Sequence, residues 1–307
     1  MNKIKSVMFG HAIGDALGVP VEFLSRKILD RNPVVDMIGF GTHNMPTGCW
    51  SDDTSMALCA LESLANGIVN YDDIMSNFGK WYYDEEFTAT NEVFDIGGTC
   101  YNAIRNYVEK NHDIYHCGIN NINANGNGSL MRIHPFVLYC YYNNINGYEF
   151  DNIIAIGSAL THAHECSING CVIYAYVLKE LLDNPSKVAI YNGINKAKER
   201  IGGNARYYDR LINHDIAKFS RNDIKSSGYV VDTLEASIWC LLTTENYKDC
   251  VLKAVNLGED TDTVAAIAGG LAGALYDMNG IPKYWINKLL KADYIENMCE
   301  KAYEKWR

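Results

Sequence analysis

A chain of 307 residues, 48% of them hydrophobic, has apolar material for one large domain or two ordinary ones. A formal net charge of −10 excludes general nucleic-acid binding through a basic surface. It still allows a phosphorylated small molecule to be held by a metal, backbone N–H groups and a few local donors.

Ten cysteines occur without a C-x-x-C pair, and several, such as Cys59 and Cys240, sit in apolar helical stretches. They read as reduced, buried thiols of a cytoplasmic protein rather than a disulfide framework. The first ten residues carry no apolar leader with a cleavage site, and no apolar run approaches the ~18 residues of a membrane span. A soluble protein with no membrane partner is expected.

Helical periodicity dominates in chain order. Ile4, Val7, Met8 and Ile13 predict an opening helix that ends near Gly18-Val19-Pro20. Residues 41–48 read as a loop, and residues 56–64 as a second helix. Another helix follows Gly97-Gly98 and carries Ile104, Tyr107 and Val108, while residues 120–127 read as a loop. Residues 171–182, 234–242, 248–257, 263–276 and 284–292 continue the helical pattern. The small residues at 265–274 suit a central, closely packed helix, at some cost in helix propensity. No alternating strand pattern, linker or repeat interrupts the chain. The expected fold is one compact all-α domain over residues 1–307, with irregular loops carrying the chemistry.

Two acidic clusters stand out. Ser51-Asp52-Asp53-Thr54 and Glu259-Asp260-Thr261-Asp262-Thr263 each lead into a helix-like stretch. Helix capping and the helix dipole explain part of each cluster. One cap residue suffices, however, and here carboxylates and hydroxyls stand in succession. Five acidic groups brought together repel one another unless a cation sits among them. Oxygen-only ligands favour Mg²⁺, Mn²⁺ or Ca²⁺ over zinc or copper.

Other segments are weaker signals. Gly14 to Pro20 can end a helix in a glycine cap, leaving Glu22 as a surface acid or as an acid on an active-site loop. Gly126-Asn127-Gly128-Ser129-Leu130-Met131-Arg132 is a glycine-rich turn predicted to feed a helix. It could offer N–H groups to phosphate, but it lacks the lysine of a P-loop and could be an ordinary turn. His162 and His164 lack a third partner for zinc, so packing or ligand contact is expected of them. Asp95, beside Gly97-Gly98, is ambiguous alone.

The blocks at 14–23 (GDALGVPVEF), 48–58 (GCWSDDTSMAL), 126–135 (GNGSLMRIHP), 160–165 (LTHAHE) and 256–276 (NLGEDTDTVAAIAGGLAGALY), in this order, resemble the ADP-ribosylglycohydrolase family. The pairing of SDDT with GEDTDT is the specific part. The resemblance implies a compact orthogonal helical bundle with two divalent cations, Mg²⁺ or Mn²⁺. It makes Ser51, Asp52, Asp53, Asp260, Asp262 and Thr263 the metal ligands, with Ser51 standing where the family usually has threonine. Glu22 becomes a loop acid facing the ribose and the metals. Asn127, Gly128, Ser129 and Met131 line the pyrophosphate path, and His162 lies near the nucleotide. Asp95 matches an acid that approaches the arginine or its leaving group in some members.

The implied reaction releases ADP-ribose from a modified protein or a small conjugate by cleaving the bond at C1″. Glu22, Asp52, Asp53 and Asp95 are the candidate catalytic acids. The segment 228–239, with Tyr229 and Asp232, looks closer to arginine-type members, and a monomer is expected. Serine-linked, O-acetyl- and poly-ADP-ribose remain alternative substrates. The rival readings are an ADP-ribose-binding or immunity-type module with little turnover, a metal hydrolase of another nucleotide, and a helical domain whose acids only cap.

Overall fold

The computed structural model describes residues 2–306. Its α-helices are α1 (Asn2–Gly18), α2 (Arg26–Arg31), α3 (Asp52–Leu64), α4 (Tyr71–Asp84), α5 (Gly98–Val108), α6 (His134–Tyr142), α7 (Gly147–Ala159) and α8 (Glu165–Asp183). After them come α9 (Lys187–Ile201), α10 (Asp209–Asn213), α11 (Val230–Leu242), α12 (Tyr247–Val255), α13 (Thr261–Gly280), α14 (Lys283–Lys288) and α15 (Ala292–Lys305). Among the described residues there is no strand, only isolated bridges such as Gly126–Tyr229 and Ile119–His162. The all-α class follows. Among the described residues no helix is long and apolar enough to cross a membrane.

The centre of the molecule is the antiparallel pair α1 and α13. Both are buried on every side, from Ile4 through Gly18 and from Thr261 through Gly273, as expected of helices without a polar face. Glycines let the two backbones touch. A Cβ added to Gly14 would lie 2.0 Å from the Ala265 carbonyl oxygen, and one added to Gly18 would lie 2.3 Å from Asp262 Cα. The end of α1 therefore meets the start of α13, and Thr261 Oγ1 donates to the Gly18 carbonyl at 2.8 Å. Helices α3, α12 and α15 pack on α1, while α8, α11 and α12 pack on α13. One continuous core runs from Ile4 to Trp306 and contains all ten cysteines as free, buried thiols.

The structure moves several expected boundaries. The helix predicted over 56–64 starts at Asp52, so the acidic cluster forms its first turn. The 171–182 helix starts at Glu165, where His164 accepts from the Cys166 N–H at 3.2 Å. The glycine-rich turn does not feed a helix directly; α6 begins only at His134. The helix predicted over 284–292 ends at Lys288, because Leu290 N–H leaves the helical pattern to bond the Gly48 carbonyl at 2.9 Å. Lys291 then turns left-handed (φ 52°) and α15 begins, unforeseen from the apolar pattern.

Candidate active site

The two acidic clusters come together through the first turns of α3 and α13. Ser51 caps α3, accepting from the Asp53 N–H at 3.3 Å and donating from Oγ to Asp53 Oδ2 at 3.1 Å. Thr263 Oγ1 reaches across from α13 to the same oxygen at 3.2 Å. Asp260 Oδ2 accepts from Asn127 Nδ2 at 2.7 Å, and that amide also donates to Thr233 Oγ1 at 3.0 Å. Glu22, Asp260 and Asp262 each bring a carboxylate oxygen within 4.8 Å of the others. Capping accounts for Ser51 and leaves the acids unexplained.

Charge is the problem this wall poses. Asp53 and Asp262 are fully buried, and burial drives both carboxyls far above the ordinary range. Neighbouring carboxylates push further in the same direction: Asp15 and Asp260 act on Asp53, Glu22 and Asp95 on Asp262. Burial, then Asp95 and Asp53, does the same to Asp52. Asp53 Oδ1, Asp260 Oδ1 and Asp262 Oδ2 are buried without a hydrogen-bond partner. A buried oxygen of that kind is costly unless a proton or a cation meets it. The donor set is oxygen only, so the unpartnered oxygens fit hard divalent cations.

Above this wall opens a cleft of about 1040 Å³, large enough for a dinucleotide-sized ligand. Glu22, Asp52, Asp95, Asp260 and Thr263 line it together with Asn127, Gly128, Met131 and His162, and among the described residues no lysine or arginine does. Ser51, Asp53 and Asp262 lie beneath this surface. Ser129 is also behind the wall: it is fully buried, and its hydroxyl meets Ser158 Oγ at 3.0 Å and Cys171 Sγ at 3.5 Å.

The loop carrying Glu22 is tied to the loop before α13, with Phe23 N–H bonded to the Glu259 carbonyl at 2.7 Å and Glu259 N–H to the Leu24 carbonyl at 2.8 Å. Glu22 Oε2 sits 2.5 Å from His43 Nε2, and the same nitrogen is 3.8 Å from Asp95 Oδ1. Burial, followed by the charges of Asp95 and Asp260, pushes the Glu22 carboxyl up to about 10. Asp95 holds a left-handed backbone (φ 64°), a conformation that is costly for a residue with a side chain. Burial raises its carboxyl, with His43 opposing.

Residues 226–229 stitch the site together. Asn127 N–H bonds the Gly228 carbonyl at 3.0 Å, and Asp260 N–H bonds the Ser226 carbonyl at 3.0 Å. Asp232, in the first turn of α11, accepts from Ser227 Oγ at 2.6 Å, a contact that ties this loop to the helix. Asp15 and His43 were not singled out from the sequence. An acid inside the apolar stretch Ala12-Ile13-Gly14-Asp15-Ala16-Leu17 was a signal for the first; His43, in a plain loop, offered none.

A profile described as ADP-ribosylglycohydrolase matches residues 1–307. The chain is 32% identical over 308 residues to a protein of Pseudomonas putida named ADP-ribosylarginine hydrolase Tri1, covering 99% of this chain and 79% of that protein. It is 29% identical over 284 residues to the ADP-ribosyl-[dinitrogen reductase] glycohydrolase of Rhodospirillum rubrum, covering 91% of this chain and 87% of that one. A solved structure described as an ADP-ribosylglycohydrolase-related protein complex superposes with a TM-score of 0.83 at 28% identity, covering 100% of this chain and 98% of the other. The match runs the length of the chain, acidic helix starts included, and this protein belongs to the ADP-ribosylglycohydrolase family as a hydrolase of glycosidic bonds.

Proposed function

We propose that this protein removes ADP-ribose from arginine side chains of modified proteins. The observation that carries this reading is the cleft itself, lined by Glu22, Asp52, Asp95 and Asp260 and, among the described residues, by no lysine or arginine. Such a surface attracts a guanidinium and suits the positive charge that develops on the sugar as its C1″ bond breaks. The named arginine hydrolase at 32% identity supports the same acceptor. Ten buried free thiols support a reducing, cytoplasmic setting.

In hydrolysis, a water oxygen bonds to C1″ and the C1″–nitrogen bond breaks. The proton lost by water passes to a carboxylate, and the departing guanidine gains one. Glu22, Asp52 and Asp95 face the cleft and can hold or move those protons. Asp53 lies beneath with Oδ2 already accepting from Ser51 and Thr263, which suits a ligand better than a base. Ser51, Asp52, Asp53, Asp260, Asp262 and Thr263 would hold two divalent cations, Mg²⁺ or Mn²⁺. Bound there, the cations supply Lewis-acid charge and a template for the ribose hydroxyls and water. Asn127 orients Asp260, and the backbone of the Gly126–Gly128 turn can offer donors to the diphosphate.

The test is to incubate mono-ADP-ribosyl-arginine and mono-ADP-ribosyl-serine peptides with the protein, with and without Mg²⁺ or Mn²⁺, and to identify the products by mass. Metal-dependent release of ADP-ribose from the arginine peptide alone is expected. Release from the serine peptide alone would overturn the acceptor assignment. Tight ADP-ribose binding without any release would make the chain a binding module.

A further inference from the structure

We propose that Arg132 and Thr161 are positioning residues that hold His162 as its Nε2–H tautomer, a fixed hydrogen-bond donor aimed at an acceptor oxygen of the ligand in the cleft. The ligand end of this proposal rests on the functional reading above; the relay itself does not.

Arg132 directly follows Met131 in the cleft wall and is fully buried. A guanidinium can only donate. Nη1 donates to the Gly157 carbonyl at 2.9 Å and Nη2 to Thr161 Oγ1 at 2.7 Å, and the group lies 4.8 Å from the centre of the Phe78 ring. Thr161 Oγ1 is in turn 2.9 Å from His162 Nδ1. With Arg132 donating to that oxygen, the hydroxyl proton is free to go to Nδ1. Were Nδ1 the donor instead, the threonine proton would be left to the Cys100 thiol, a weak acceptor. With Nδ1 accepting, the ring proton belongs on Nε2.

The backbone that carries the ring is held in place from both sides. His162 N–H bonds the Ser158 carbonyl at 2.9 Å, and Ser158 Oγ donates to the His162 carbonyl at 3.1 Å. Ile119 pairs with the backbone on either side, through Thr161 O at 2.9 Å and Ala163 N at 3.0 Å. The free edge of the ring faces the glycine turn. A Cβ added to Gly128 would lie 3.0 Å from His162 Cε1, and one added to Gly126 would lie 3.7 Å from Nε2. Two missing side chains thus leave this donor open to the cleft. Burial and the nearby guanidinium lower the ring's pKa to about 3, so the imidazole stays neutral. Burial also raises the thiols of Cys59, Cys100, Cys117 and Cys171 around Arg132, so these remain neutral.

The experiment is histidine ¹⁵N NMR of the ligand-free protein, with His162 assigned by the signal lost in His162→Gln, alongside calorimetry with ADP-ribose. Wild type is expected to show His162 protonated at Nε2. Thr161→Val should mix the tautomers and weaken ADP-ribose binding about tenfold, while Thr161→Ser restores the tautomer and brings affinity back to within about twofold. A purely structural threonine would leave the tautomer unchanged. Nδ1 protonation in wild type overturns the relay, as does a valine variant matching wild type in both readouts. Should the valine variant not fold, the wild-type and serine spectra decide. If wild type binds no ADP-ribose, the functional reading fails while the tautomer still tests the relay.

Discussion

Asp15, near the end of α1, accepts a hydrogen bond of 2.6 Å from the hydroxyl of Thr54 in the first turn of α3. The same carboxylate takes the backbone N–H groups of Ser51 at 2.9 Å and Thr54 at 3.1 Å. It serves as a cap borrowed from another helix. With those N–H groups satisfied, Asp52 and Asp53 are released from capping and turn toward the cleft and the acid wall.

Replacing Asp15 by asparagine keeps the volume but sets an NH₂ group against one of these donors. The variant should lose about 2–4 kcal/mol of stability by urea unfolding. Its affinity for Mn²⁺ should fall at least about tenfold by calorimetry, because a supporting contact behind the ligands is gone. A variant equal to wild type in both measurements would remove Asp15 from this role.

Asp262 gives a prediction whose sign depends on the cation. Without one, its buried carboxyl faces Glu22, Asp95, Asp53 and Asp260, and Oδ2 has no partner. Asp262→Asn relieves that repulsion, so in the presence of a chelator the variant should be more stable than wild type by about 1–3 kcal/mol. With saturating Mn²⁺ the order should reverse, since only wild type gains the full binding energy. Turnover should be abolished while the circular dichroism spectrum stays helical. Thermal melts with and without Mn²⁺ check this; an Mn²⁺-induced rise in Tm as large in the variant as in wild type would exclude Asp262 as a ligand.

The meeting of α1 with α13 can be tested away from any acid. A methyl group on Gly14 would sit 2.0 Å from a carbonyl oxygen of the facing helix, a contact that only backbone movement can relieve. Gly14→Ala should cost at least about 2 kcal/mol, beyond what the better helix propensity of alanine returns. Because these helices carry Asp15 and Asp262, the same spreading should weaken Mn²⁺ binding. Gly98→Ala, at the first residue of α5, is the control: a methyl there meets nothing within 4 Å, and stability should not fall.

Much of this was legible in the sequence, for identifiable reasons. The acid clusters are local, and hydroxyls beside carboxylates before an apolar run mark helix starts wherever they occur. The glycine and alanine content of 265–274 announced close packing. What local pattern could not carry was contact across the chain. Asp15 reaches Thr54 from another helix, and His43 meets Glu22 from a loop with no distinguishing composition. Ser129 belongs to the glycine turn by position, yet its hydroxyl points inward to Ser158 and Cys171. The break between α14 and α15 depends on Leu290 bonding Gly48, some 240 residues earlier in the chain.

Glu235 supplies a pH-dependent prediction remote from the acid wall. It lies on α11, is 4% exposed, and its Oε2 is 3.4 Å from Arg210 Nε. Burial pushes its carboxyl up to about 7, with Arg210 opposing and Asp232 adding to the rise. A raised carboxyl pKa means the folded protein holds its proton while the unfolded chain, ionising near its ordinary value of 4.5, has released it. This contribution to stability is therefore fullest below about 4.5, falls as pH rises toward 7, and is level above that. Glu235→Gln removes the ionisation. Compared by urea unfolding, variant and wild type should match near pH 4, and the variant should be more stable by about 1–3 kcal/mol near pH 8. The Arg210 contact is long and half open to solvent, so its loss subtracts little. A variant weaker than wild type by the same amount at both pH values would assign the effect to packing or to Arg210, and not to a buried charge.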